Sequence, residues 1–236
     1  MRLPAESASS WVHLAFAGFT YSSLVAWAEV DVLAAPSRVV LMDFANVLKP
    51  AMESLLKEAR ETQDAQIFGR PTAQARQNVG LTALKRVTKE SLQLVAMKIG
   101  EGYEDHPNVR TFLPKLTGGI TKLPMADRPD AVVRASERLS GLPDFDGKAE
   151  LIARLEAAAT NAERMMEAAA LAFSGWQTER SEEVMAKGQL RLTLQSVHGG
   201  LGNKFPGQRD FVESFFLRSG KASEGEQDGD DGGDAT

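Results

Sequence analysis

The strongest constraint on this fold is a run of twenty-two residues without a formal charge, residues 7–28. Water does not tolerate so many clustered aromatic side chains on a solvated helix, so the run must be buried in the fold, inserted in a membrane or covered by a partner. The aromatic residues of this run are Trp11, Phe16, Phe19, Tyr21 and Trp27.

Three interpretations of the run are open. The first is a membrane span, because the run is long enough to cross a bilayer. Against it, the run contains His13 and four consecutive hydroxyl residues at 20–23. It also has no basic flank, and Glu29 and Asp31 follow it. A cleaved signal is the second interpretation, because residues 26–28 have the small-x-small form that precedes a cleavage site. The apolar residues of the run lie on all sides of a helical wheel, which suits either a membrane span or a helix buried among others. The scattered polar residues and the lack of anchoring charge at the flanks favour the third interpretation, a buried or partner-binding helix.

Composition indicates a folded protein and excludes several chemistries. A chain of 236 residues with 43% hydrophobic content can bury a real core. It contains no cysteine, which removes disulfides, thiolate zinc sites, iron–sulfur clusters and cysteine nucleophiles. We predict a cytoplasmic protein, with membrane association as the alternative.

Charge is distributed unevenly along the chain. Residues 222–236 hold six acids and no base, so the other residues carry 27 − 26 = +1. Residues 65–100 hold six bases against Glu90 alone. The sequence thus predicts one basic helix and an acidic tail too poor in apolar groups to fold.

Apolar residues recur at spacings of three and four through most of the chain, which indicates amphipathic helices. Pro50 predicts a kink or a break in the first of them, and residues 69–72 and Gly199-Gly200 are typical of helix ends. Residues 189–197 fit a strand as well as a helix, and the surrounding helices favour the helix. The predicted helices cover residues 37–64, 72–99, 128–140, 146–176, 178–198 and 208–218.

These elements predict an all-α fold, a helical bundle of two antiparallel hairpins, 37–100 and 146–198, joined by a loop-rich connection at 101–128. The predicted division is an apolar N-terminal helix at 1–36, which packs on the bundle or on a partner, a bundle domain at 37–220 and a disordered acidic tail at 221–236.

No motif identifies a reaction, and we predict no catalytic residue, no cofactor and no metal site. The histidines, His13, His106 and His198, have no ligand partner at helical spacing. The polar cluster at 101–106 is typical of a solvated turn after a helix, and the glycine-bearing segments 117–122 and 199–204 do not match a phosphate-binding loop. An enzyme that uses the 101–106 cluster is a less favoured hypothesis.

The leading hypothesis is a non-enzymatic interaction or assembly protein that binds a protein partner or copies of itself. One alternative is a membrane-associated protein anchored by residues 11–28. Another is a nucleic-acid-binding protein that uses the basic helix at 70–98, which the lack of interleaved aromatic residues disfavours. The predicted partner-binding residues are Trp11, Phe16, Phe19, Trp27, Phe211, Phe215 and Phe216. The predicted basic surface consists of Arg70, Arg76, Lys85, Arg86 and Lys89.

Overall fold

A computed structural model describes residue 1 and residues 3–217, and it is all-α, with no strand among those residues. The predicted acidic tail lies outside the described residues. A π-helical turn, Ala65–Gly69, joins α2 to α3, and a 3-10 turn, Met125–Asp127, precedes α6. The α-helices are α1 Ser10–Glu29, α2 Ala35–Asp64, α3 Arg70–Ile99, α4 Pro107–Phe112, α5 Gly118–Thr121, α6 Arg128–Ser140, α7 Lys148–Lys204 and α8 Arg209–Ser214.

The chain divides into two compact units. Among the described residues, the first consists of 1–61 with 180–217, and the second is Thr62–Glu179. The division falls within α2 and within α7, so each of these helices contributes residues to both units. Residues 1–36, which the sequence predicts to pack on the bundle or on a partner, share the first unit with the N-terminal part of α2 and the C-terminal part of α7.

The core of the first unit combines the inner faces of α1, α2 and α7 with the phenylalanines around α8. Apolar residues recur at three- and four-residue spacing on each helix, so one stripe of each turns inward. A side chain at Gly18 would lie 3.8 Å from Met52 Cε, in ordinary contact, so α1 lies directly on α2. Fully buried members of this core include Leu24, Leu41, Leu48, Leu55, Leu190, Leu194 and Phe215.

The second unit has its own core, formed by α3, α4, α6 and the N-terminal part of α7. A Cβ at Gly80 would lie 3.3 Å from the Cα of Ala162, so α3 and α7 approach closely at this glycine. Residues 101–128 contain α4 and α5 as short helices, and Val109, Phe112 and Ile120 bury their side chains in the same core.

The predicted antiparallel hairpin of two helices at 146–198 is wrong, because α7 is one continuous helix of 57 residues. It passes through Gly175 and Gly188, where an added Cβ would meet nothing within 4 Å, and continues beyond Gly199-Gly200. A glycine in a helix interior costs about 1 kcal/mol, which packing of neighbouring turns offsets. Residues 189–197 are helical, as the surrounding pattern favours.

Three other predicted boundaries also differ. The break considered at Pro50 does not occur, since Pro50 lies inside α2. The end predicted at 69–72 is replaced by the π-helical turn, after which Pro71 lies in the first turn of α3. The chain stays helical through this turn, because the amide of Arg70 donates to the Ala65 carbonyl. The last helix, α8, is shorter than predicted and ends at Ser214.

Candidate interaction surface

Polar contacts anchor the N-terminal end of α1 to α7 within the first unit. The Ser9 side chain caps α1 by accepting from the amide of Val12. Ser10 Oγ donates to Glu183 Oε1 at 2.5 Å, and Lys187 Nζ donates to the Ala8 carbonyl at 3.3 Å. These contacts fix which face of α1 turns inward.

His13 is the buried polar residue of this anchor and is held by two contacts. Its Nδ1 lies 3.1 Å from the Ser9 carbonyl oxygen, and its Nε2 lies 3.1 Å from Arg191 Nη1. A neutral imidazole protonated on Nδ1 satisfies both, since Nδ1 then donates to the carbonyl and Nε2 accepts from the guanidinium. Burial lowers the pKa of His13, the Ser9 hydrogen bond opposes that shift, and the positive charge of Arg191 adds to it.

Three of the predicted partner-binding residues are buried in the core of the first unit. These are Phe16, Phe215 and Phe216. Two more are half-buried: Trp27 and Phe211 meet edge to face with ring centroids 5.1 Å apart. Phe211 also contacts Phe215 and Phe205 at 4.9 and 5.1 Å. The structure thus explains these five rings by packing within their own unit, and they do not form part of an open apolar face.

The remaining two, Trp11 and Phe19, lie on the outward face of α1. Trp11 is 46% exposed, Phe19 is 41% exposed, and Val12, which sequence reasoning missed, is 49% exposed. Ala15, Ser22 and Ala26 are exposed on the same side of the helix, at the spacing that one helical face requires. We call these six residues the α1 outer face, and none of them is charged.

Polar residues on the inner side explain why the sequence obscured this face. Ser10, His13 and Thr20 are buried, while Trp11 and Phe19 are exposed. Thr20 Oγ1 donates to the Phe16 carbonyl at 3.2 Å, which satisfies a hydroxyl that would otherwise be costly to bury. Apolar and polar residues therefore do not separate on the helical wheel. Buried residues His13, Phe16, Thr20 and Leu24 lie at three- and four-residue spacing, so one inner face could have been found by position alone.

Membrane insertion of the uncharged run was the first interpretation considered from sequence. None of the helices that the structure describes combines the length and the apolar character needed to cross a bilayer.

The predicted basic residues are all exposed on α3, in the second unit. They are spread over twenty residues from Arg70 to Lys89, a distance of about 28 Å at the rise of an α-helix. Arg70 lies over the rings of Phe173 and Trp176, with centroid distances of 5.3 and 5.1 Å. These residues do not form one compact patch.

One of these bases also has an acidic partner. Arg86 Nε donates to Glu90 at 2.8 Å, and Arg154 donates to the same carboxylate at 2.9 Å. Hydrogen bonds from Arg86 and then Arg154 lower the pKa of Glu90. Part of the basic charge of α3 is therefore neutralised locally.

The contacts of the polar cluster at 101–106 are with residues close to it in sequence. The Nδ1 of His106 accepts from the amide of Asn108 and caps α4, and Asp105 pairs with Arg110. Glu101 and Glu104 are exposed.

Comparison of the chain with models of protein families, with curated proteins and with solved structures gives no match.

Proposed function

We propose that this chain is a non-enzymatic assembly protein that associates with a second copy of itself through the α1 outer face. The observation that supports the proposal is the exposure of Trp11, Val12 and Phe19 on a helix that is anchored to its own core by its other side. Exposed apolar residues that cluster on one rigid helical face are typical of interaction sites.

The chemistry of the face favours a second copy as the partner. A charged surface selects a partner of opposite charge, and the α1 outer face has no charge with which to do so. A two-fold axis places the same patch on both sides of an interface, so the patch must be complementary to itself. An uncharged apolar face meets this condition without an unpaired charge.

The spacing of large and small residues is also self-complementary. An α-helix rises 1.5 Å per residue, so a two-fold axis through Phe19 brings Val12 of one copy level with Ala26 of the other. The same axis brings Ala15 of one copy to within about 1.5 Å in height of Ser22 of the other. Ala15 of one copy thus lies opposite Ser22 of the other on both sides of the central pair of Phe19 rings. These small side chains permit close approach of two antiparallel helices.

The exposed area predicts a weak dimer. Trp11 is 46% exposed and Phe19 is 41% exposed. If a whole aromatic side chain has about 150–250 Å² of surface, these two side chains together expose roughly 130–220 Å² to solvent in each copy. Burying this area in both copies gives roughly 7–11 kcal/mol at about 25 cal/mol per Å², against an association cost of about 4–15 kcal/mol. At the low end of that cost, about 4 kcal/mol, the net gain is about 3–7 kcal/mol, so we expect a concentration-dependent equilibrium with a dissociation constant between several micromolar and several millimolar.

Sedimentation equilibrium of the full chain from about 10 µM to about 1 mM tests this proposal. The weight-average mass should rise with concentration, and Phe19→Glu should hold it at the monomer value because two like charges then meet on the axis. The matched control is Val47→Glu, which adds the same charge at a 58% exposed valine of α2 in the same unit. The control should dimerise as the unmodified chain does.

Mixing variants separates self-association from other partners. Phe19→Glu and Phe19→Lys should each remain monomeric alone and should associate when mixed, because the two charges then attract across the axis. A monomeric unmodified chain at every concentration would overturn the proposal. So would a monomer that binds phospholipid vesicles through residues 11–28, since that result supports membrane association instead.

A further inference from the structure

A small cavity in the second unit concentrates positive charge. Its volume is about 250 Å³, and it lies between the segment that leads into α5 and the outer side of α6. The lining includes Leu113, Lys115, Gly119, Ile120, Arg134 and Arg138. Three of these side chains are cationic, and no carboxylate lines the cavity.

The three cations are not neutralised by neighbouring acids. No described carboxylate forms an ion pair with Lys115, Arg134 or Arg138, although Asp130 and Glu137 are on the same helix as the two arginines. Arg138 Nε donates to the Phe112 carbonyl at 3.0 Å, which anchors its guanidinium at the cavity wall. The N–H groups on the other two nitrogens of this guanidinium are not used by this contact and can donate to a ligand.

The backbone that carries Lys115 is held in an unusual conformation. Leu116 has a φ of 51°, in the left-handed region that a bulky residue adopts at a cost of about 1–3 kcal/mol. Leu116 packs against the core of the second unit, and its amide donates to the Leu113 carbonyl at 2.9 Å. A Cβ at Gly119 would lie 2.8 Å from Lys115 Cβ, so the chain folds back closely on itself beside the lysine.

From this arrangement we propose that the cavity binds the phosphate monoester of a small molecule with a short apolar part. Arginine side chains one helical turn apart match the oxygens of a phosphate, and a phosphate monoester carries a charge of about −1.5 to −2 near pH 7. Three cations suit a dianion better than a single carboxylate. This site is independent of the α1 outer face and goes beyond the proposed assembly function.

The apolar part of the lining and the volume limit the rest of the ligand. Leu113 and Ile120 are almost fully buried and form an apolar side to the cavity. The volume equals the share of about eight water molecules in the liquid, below the usual range of about 300–1,000 Å³ for ligand sites. A phosphate with one ring or a short alkyl chain fits these limits.

Calorimetric titration of the full chain with phenyl phosphate and with inorganic phosphate tests the proposal. Phenyl phosphate should bind saturably at one site per chain, and at least about tenfold tighter than inorganic phosphate because its ring meets the apolar side. Arg134→Gln and Lys115→Gln should each lower the affinity for phenyl phosphate by about tenfold, because each variant loses a charge-assisted hydrogen bond. Both side chains are exposed, so neither variant should unfold the unit.

The matched control is Arg76→Gln, an exposed arginine of the same unit that does not line the cavity. It should leave the affinity for phenyl phosphate unchanged. The proposal is overturned if phenyl phosphate shows no saturable binding, if Arg134→Gln behaves like Arg76→Gln, or if benzoate binds as tightly as phenyl phosphate. Displacement of phenyl phosphate by a tighter-binding single-stranded oligonucleotide would also overturn it, in favour of a nucleic-acid surface.

Discussion

Two adjacent glycines near the end of α7 have different surroundings. An added Cβ at Gly200 would lie 2.5 Å from Cε1 and 2.6 Å from Cζ of Phe44, whereas at Gly199 it would meet nothing within 4 Å. Gly200 therefore makes room for an aromatic ring of α2, and Gly199 does not. Gly199→Ala and Gly200→Ala form a matched pair of perturbations one residue apart in the same helix.

The expected magnitudes follow from two opposing terms. Alanine is favoured over glycine in a helix interior by about 0.8–1.0 kcal/mol, and both variants gain this term. Gly200→Ala also forces the ring of Phe44 from its position, and overpacking of this kind costs about 1–3 kcal/mol. Gly199→Ala should therefore stabilise the first unit by about 1 kcal/mol, and Gly200→Ala should be about 1–3 kcal/mol less stable than Gly199→Ala.

Urea denaturation followed by circular dichroism measures both variants, with stability compared at equal m-value. A double-mutant cycle with Phe44→Ala isolates the ring, because Gly200→Ala should become as favourable as Gly199→Ala once the ring is absent. The reasoning is refuted if Gly200→Ala stabilises as much as Gly199→Ala with Phe44 intact, or if removing Phe44 leaves the difference between them unchanged.

Two further predictions concern His13 in the first unit and two glycines in the second. The pKa of His13 is lowered from 6.5 in the folded state, so the unfolded chain binds more protons and the free energy of unfolding should fall as pH drops from about 7 to about 5. His13→Gln should flatten this dependence in urea titrations, and an unchanged slope would contradict the neutral assignment. In the second unit, Gly175→Ala should stabilise by up to about 1 kcal/mol, whereas Gly80→Leu should destabilise by about 1–3 kcal/mol because α7 lies against Gly80. Equal melting temperatures for these two variants would contradict the close approach.

The all-α class could be predicted from sequence because three- and four-residue apolar spacing persists over many turns. The helix ends could not, since glycine and proline alter local stability by only about 1–3 kcal/mol and packing offsets that amount. Gly200 illustrates the difference: its pattern is typical of a helix end, but its role is to admit Phe44. That role depends on a residue more than 150 positions away.

The candidate sites were predictable to different degrees. Trp11 and Phe19 could be identified from the uncharged run, but their exposure depends on which side of α1 His13 anchors through Arg191. The cavity in the second unit could not be identified, because Lys115 and Arg134 are nineteen residues apart and belong to no shared periodicity.

Disulfide trapping tests self-association through the α1 outer face most directly, since the chain has no cysteine of its own. Ala15→Cys and Ser22→Cys place single thiols at nearly equal heights across the proposed two-fold axis. In a dimer of two copies of the same variant, the two thiols would lie about 12 Å apart along the helix axis for Ala15→Cys and about 9 Å apart for Ser22→Cys. Both distances exceed the usual reach of a disulfide. Oxidising an equimolar mixture should therefore give mainly the mixed dimer. Equal yields of mixed and like dimers, or no dimer at concentrations up to about 1 mM, would contradict antiparallel association through this face.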